Sequence, residues 1–182
     1  DTLLNVNALN IGTGARDLGS ITFQDVAGTL TVRAADGTSA VAFNMGTGSA
    51  TTAVALNGNQ NTFDVTGHDA DLLFSTVAIG TQNRGEDLAN VFRFDQGLLQ
   101  MDSLTASAKG VNGFTTTTTI NIGGGTVQTG AWTLSSSTGA GSAVTVANLT
   151  GGDITFSGNI SRGVKTGAGA VTATVNLAGA DL

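Results

Sequence analysis

Residues Phe92–Gly110 read FRFDQGLLQMDSLTASAKG, and their spacing decides the fold. Phe92 and Phe94 alternate with other residues and run into the turn Asp95-Gln96-Gly97. Leu99 and Met101 follow, then Leu104 and Ala106, with two residues instead of one between Met101 and Leu104. Period-two alternation puts one row of side chains on one face of a strand. The two-residue step fits a bend whose two arms both still point inward. Ile120–Leu134, INIGGGTVQTGAWTL, repeats the pattern through Ile120, Ile122, Gly123–Gly125, Val127, Thr129, Trp132 and Leu134, where Thr129 breaks the apolar rule. The offset between these copies is 127 − 99 = 28. Leu4, Val6, Leu9, Ile11 before Gly12 and Leu72, Phe74, Val77, Ile79 before Gly80 are further copies.

Short apolar pairs recur between these units: Ile21 with Phe23, Val41 with Phe43, Val54 with Leu56, Phe63 with Val65, Val144 with Val146 and Ile154 with Phe156. Val171, Ala173, Val175 and Leu177 alternate near the end. Two short strands and a glycine corner cannot bury such a face alone, but stacked coils bury it as one column. Strand starts at Ile21, Val41, Phe63, Phe92, Ile120, Val144 and Val171 predict an all-β chain. The expected fold is a right-handed parallel β-helix, or β-solenoid, of about seven irregular coils, with residues 1–182 as one segment. The rival is a β-sandwich, kept open by the hairpin-type dipeptides Asp36-Gly37, Asn57-Gly58 and Asn112-Gly113.

Composition agrees with a solenoid. The chain has 27 Gly and no Pro, Cys or Tyr, and only 11% of its residues are charged, against roughly 25% in ordinary soluble domains. No helix-period run is present. The net charge is −6, and Arg16, Arg33, Arg84, Arg93, Lys109, Arg162 and Lys165 are scattered singly. A nucleic-acid surface needs clustered cations, so none is expected. No apolar run approaches the ~20 residues that span a bilayer, so no direct membrane insertion is expected. The chain begins at Asp1 without a signal peptide and reads as a mature protein or an excerpt. Without Cys it has neither disulfides nor thiolate metal sites.

Phe92–Gly110, Ile120–Leu134, Asp1–Gly14 and Leu72–Gly80 resemble the autotransporter-associated β-strand repeat. The resemblance covers about half of the chain. It implies the passenger region of a large exported bacterial protein, folded as a right-handed β-helix. The translocating β-barrel of such proteins would need interfacial aromatics. With no Tyr and one Trp, this sequence does not encode one.

The densest polar cluster is His68, Asp69 and Asp71, followed by Arg84, Glu86 and Asp87. Asp69 and Asp71 share a face on a strand, as an acid/base pair or a Ca²⁺ site would require. The plainer reading, preferred here, is an exposed loop before the Leu72 strand. His68 is the sole His, which excludes a multi-His zinc site. Gly123–Gly125 lacks the ending of a phosphate loop and reads as a coil corner. Gly151-Gly152-Asp153 shares only its first letters with a calcium β-roll. Thr115, Thr117 and Thr119 share one face, read as strand surface on a single coil. Trp132 stands where Leu104 stands one repeat earlier and reads as core.

No catalytic, metal or cofactor residue is therefore assigned. The expected function is a structural or adhesive module of an extracellular or bacterial cell-surface protein, acting as a stalk or matrix element. The alternatives are a filament subunit stacking end to end and a carbohydrate-active β-helix enzyme. Self-association, or continuation into neighbouring solenoid, is the expected partnership. No polar cap is visible at Asp1 or at Ala178–Leu182.

Overall fold

The computed structural model describes residues 1–14, 17–23, 28–49, 60–83, 85–110 and 113–182. Val54, Leu56, the Asn57-Gly58 pair, Arg16, Arg84 and Asn112 lie outside the described residues. The described residues form strands and no helix. Every pairing between these strands is parallel. The chain is a β-solenoid of six turns. A first coil holds β1 (Thr2–Val6), β2 (Ala8–Ile11) and β3 (Ser20–Thr22). The second holds β4 (Thr29–Ala34), β5 (Val41–Met45), β6 (Gly48–Ser49) and β7 (Gln60–Asp64). Three regular coils follow: β8 (Asp69–Asn83) with β9 (Leu88–Phe94), β10 (Gly97–Lys109) with β11 (Thr115–Ile122), and β12 (Thr126–Ser137) with β13 (Ser142–Leu149). The sixth has β14 (Asp153–Phe156), β15 (Ile160–Arg162) and β16 (Val171–Leu177). Strands β3, β7, β9, β11, β13 and β16 make one sheet, and the remaining strands make the other. At roughly 4.8 Å per coil the stack is about 30 Å long.

The repeat register is that of the sequence pattern. Leu99 pairs with Val127, Met101 with Thr129, Leu104 with Trp132 and Ala106 with Leu134. One coil earlier the partners are Leu72, Phe74, Val77 and Ile79. The two-residue step is a bend: Met101 and Leu104 are both buried while Asp102 between them is exposed. Pairing is interrupted there, at the stacked positions Ser75, Asp102 and Gly130. Of the four long repeat copies, all apolar residues are buried except Leu4 and Val6, which are half-buried in the end coil. Val144 and Val146, expected to face inward, lie on the outer face of β13, and Ala143, Thr145, Ala147 and Leu149 are its buried residues. Phe43 lies at the centre, with ring centroids 5.2 Å from Phe63, 5.0 Å from Phe74 and 5.8 Å from Phe92. Leu104→Ala is expected to cost ~2–5 kcal/mol of unfolding free energy. A loss below ~0.5 kcal/mol in denaturant titration would contradict its burial.

The count of about seven coils is corrected to six. The sequence spacing makes Val41 and Phe43 look like a coil start, but Val41 closes the first arm of the second coil and Phe43 opens its second, pairing with Phe74 and Val77. Residues 35–40 interrupt that coil as an inserted turn, which hid the repeat. Asp36 closes it by accepting the backbone N–H groups of Thr38 and Ser39, each at 2.8 Å. Hydrogen bonds from the Ser39 side chain, then from the Ser39 and Thr38 backbone, hold the exposed Asp36 carboxyl well below the usual range. Asp36-Gly37 is thus a side loop of a coil and not a sandwich hairpin.

Each of the first five coils turns its next corner on a residue with left-handed φ: Gly12, Gly46, Gly80, Ser107 and Ser135 in succession. These positions face a polar column on the opposite sheet, in which Asn61, Asn90, Thr118 and Thr145 pair coil to coil. Asn61 donates to Asn90 Oδ1 at 3.0 Å. A Cβ at Gly46 would lie 2.0 Å from Asn90 Oδ1, so the early corners require glycine. Later coils carry smaller hydroxyl residues opposite, and serine takes the corner. Ser107 Oγ donates to the Val144 carbonyl at 2.7 Å, and Ser135 Oγ to the Thr172 carbonyl at 2.6 Å. Buried polar groups are tolerated because they are paired.

Candidate functional site

The polar cluster singled out in the sequence sits where the loop after β7 enters β8. Asp69 and Asp71 are the first and third residues of β8, not loop residues as expected, because Asp69 already pairs with Thr29 and Asp71 with Thr31. Asp69 is exposed. Asp71 is ion-paired with Arg33, whose Nη1 also donates to the carbonyls of Val32 at 2.8 Å and Asp71 at 2.9 Å. The two carboxylates share a strand face, but Asp71 is bound up in fastening the second coil to the third.

His68 and Glu86 are buried, which corrects the solvated-loop reading for both. The His68 ring stacks on Phe23 with centroids 4.0 Å apart and planes 13° apart, and its Nδ1 lies 2.8 Å from the Thr66 carbonyl. Asp87 Oδ1 accepts the Thr115 backbone N–H at 2.6 Å and fastens the start of β11. Arg84 lies outside the described residues. Among the described residues, no three His, Asp or Glu side chains cluster as metal ligands.

The carboxylate of this region that the sequence reading did not single out is Asp64. It accepts from the Thr66 hydroxyl at 2.7 Å, from the Thr66 N–H at 3.1 Å and from Arg93 Nη1 at 2.9 Å. Burial pushes its pKa up, but the Thr66 and Arg93 bonds outweigh that and hold it below the ordinary 3.8. A depressed carboxylate stabilises the fold above its unfolded-state pKa, and that contribution fades as pH falls through the folded value. Thermal stability should therefore drop as pH is lowered from the ordinary carboxylate range. Asp64→Asn should flatten that drop, as read from melting curves across acid pH. An unchanged acid profile would show that the carboxylate contributes nothing. Asp64 is partly exposed, so the effect is small.

A shallow groove runs along the outside of the bend, lined by Leu73, Gln100, Asp102, Gln128, Thr155 and Ser157. Gln100 Nε2 donates to Gln128 Oε1 at 2.6 Å, an amide ladder one coil long. Asp102 is the one carboxylate in the lining, whereas glycoside hydrolysis uses a pair. Trp132 is fully buried and offers no sugar platform. Its Nε1 donates to Thr129 Oγ1 at 2.7 Å, which explains the polar residue at that repeat position. Thr115, Thr117 and Thr119 lie half-buried on the outer face, while Thr116 and Thr118 point into the core. On the neighbouring coils the same outward positions are Ala89 and Val91 on one side and Val144 and Val146 on the other, so the Thr rank stays on one coil. Gly123–Gly125 forms the corner between β11 and β12. The outer surface is thus built of ladders: Asn121–Asn148–Asn176 at 2.8 and 2.7 Å is another. The chain matches no protein-family model, no curated protein and no solved structure.

Proposed function

We propose that the chain is a rigid structural or adhesive module of an extracellular, surface-attached bacterial protein, serving as a stretch of stalk or matrix rod. The observation that carries this reading is the single apolar column running in register through all six coils. Each coil touches only its neighbours, so length is set by coil number and stiffness by the stacked ladders. Arg33–Asp71 and Arg93–Asp64 lock neighbouring coils from outside. The resemblance of Phe92–Gly110 and Ile120–Leu134 to the autotransporter-associated repeat supports the surface location. The test is immunogold labelling of unpermeabilised source cells with an antibody to this chain. Label outside the envelope is expected. Label that appears only after permeabilisation would overturn the reading.

A further inference from the structure

The groove along the outside of the bend has a volume of about 470 Å³, within the roughly 300–1,000 Å³ that ligand pockets occupy. Two rows of residues flank it. The first runs through Gln100, Gln128 and Thr155 on successive coils, and the second through Asp102, Gly130 and Ser157. Gly130 leaves a gap in the second row. A Cβ there would lie 1.9 Å from the Asp102 carbonyl oxygen, so the tight bend excludes a side chain at this point. The groove therefore opens between Asp102 and Ser157.

The polar atoms of the lining set the chemistry of an occupant. Gln100 uses its Nε2 on Gln128 Oε1, which leaves the Gln128 amide as a donor and the Gln100 side-chain oxygen as an acceptor. The Asp102 carboxylate is exposed, and among the described residues nothing donates to it. Ser157 Oγ donates to the Thr129 carbonyl at 3.2 Å, so its lone pairs remain for a ligand. Among the described residues no cation lines the groove, and the chain carries a net charge of −6. An anionic ligand is therefore repelled. The flanking first-arm strands pair with coils on both sides, so an extended peptide finds no open strand edge there. What fits is a neutral molecule with donors and acceptors side by side at short intervals, as vicinal sugar hydroxyls provide. A linear chain of pyranose rings also advances by about one coil spacing per ring, so successive rings meet equivalent positions on successive coils.

We propose that this groove holds a strand of neutral glycan laid along the rod axis, with the Asp102 carboxylate accepting from the hydroxyls of one ring and the Gln128 amide donating to the next. This names the ligand of the adhesive module and rests on that reading. Among the described residues Asp102 is the lone carboxylate of the lining, so the strand is held and not cut. The lining spans the fourth, fifth and sixth coils. Each added ring meets polar groups of another coil until all three are covered.

The experiment is isothermal titration calorimetry of the 182-residue chain with neutral gluco-, manno-, xylo- and galacto-oligosaccharides of one to six units, to about 10 mM. Oligogalacturonate is the acidic comparison. At least one neutral series is expected to bind, with affinity rising from one unit to three and levelling beyond. Oligogalacturonate is expected not to bind. Asp102→Ala and Gln128→Ala should each weaken binding by about tenfold or more, because each removes a hydrogen-bonding group from the contact. Thr117→Ala, on the other sheet, should leave it unchanged. Asp102 and Gln128 are exposed and Thr117 half-buried, and melting curves of each variant check that the coils are intact. Failure of every neutral series to bind, preferred binding of oligogalacturonate, or binding indifferent to both groove variants overturns the proposal. Surface labelling of cells is independent of this result. Label outside the envelope without glycan binding sinks the groove site alone, so the two readings can fail separately.

Discussion

Trp132→Ala is expected to lower the unfolding free energy by ~3–5 kcal/mol, the largest loss among single truncations of the column. Trp132 is among the largest fully buried side chains. It sits between Leu104 below and Ile160 above, with Phe156 edge-on at 5.0 Å. Truncation leaves a cavity that rigid strand ladders on both sides cannot close. The indole N–H also fixes what Thr129 must be. Thr129→Val alone strands that donor and should cost ~1–3 kcal/mol. In a Trp132→Phe background the same change should cost much less, because no donor remains to strand. Denaturant titration of the three variants checks this coupling. Additive losses would show that the Trp132–Thr129 bond contributes nothing.

The second large effect is expected at Gly97, at the corner that opens β10. Its φ is +93°, and a Cβ there would lie 2.2 Å from the Ala70 carbonyl oxygen of the coil below. Gly67 also has left-handed φ, +76°, but has nothing within 4 Å of its Cβ position. Gly67→Ala should therefore cost only the conformational term, ~1–2 kcal/mol. Gly97→Ala adds a backbone clash of ~1–3 kcal/mol, for a total of about 2–5 kcal/mol. The difference between the two melting shifts isolates the closeness of adjacent coils. Equal losses at both positions would mean that the coils are not packed edge on edge at Gly97.

The regular coils were legible because their apolar residues keep the bend spacing without interruption, from Leu72 through Leu134. The second coil was not, since residues 35–40 split its long strand and made Val41 and Phe43 look like a new start. The polar interior was also hidden. Asn61, Asn90, Thr116 and Thr118 alternate in phase with Phe63, Phe92 and Ile120, yet their residue types argue for an outward face. What makes them inward is the tight corner opposite, where little space remains and backbone carbonyls await donors: Thr116 and Thr118 bond the carbonyls of Gly80 and Ile79 at 3.2 and 3.4 Å. One signal was available. The position after each repeat is Gly12, Gly80, Ser107 or Ser135, a small residue every time. Asp69 and Asp71 look like loop residues in the sequence because they fall in a polar cluster between the Phe63 and Leu72 strands. Pairing with the coil below, and Arg33 for Asp71, draws them into β8.

The central claim is that the coils are interchangeable layers in one register. Leu98 pairs with Thr126, so residues 98–125 are one complete layer of 126 − 98 = 28 residues. Removing them joins Gly97 directly to Thr126, setting β12 on β8 and β13 on β9 with the side chains of the core column still inward. Removing residues 102–128 instead, one fewer, joins Met101 to Thr129, adds one residue ahead of the bend and turns the second arm's side chains to the wrong face. The decisive measurement is cooperative thermal unfolding of these two deletion variants, followed by far-ultraviolet circular dichroism. The account predicts a β-rich, cooperatively melting shorter rod for the 28-residue deletion and a loss of cooperative folding for the 27-residue deletion. An unfolded 28-residue deletion, or two variants that melt alike, would contradict it.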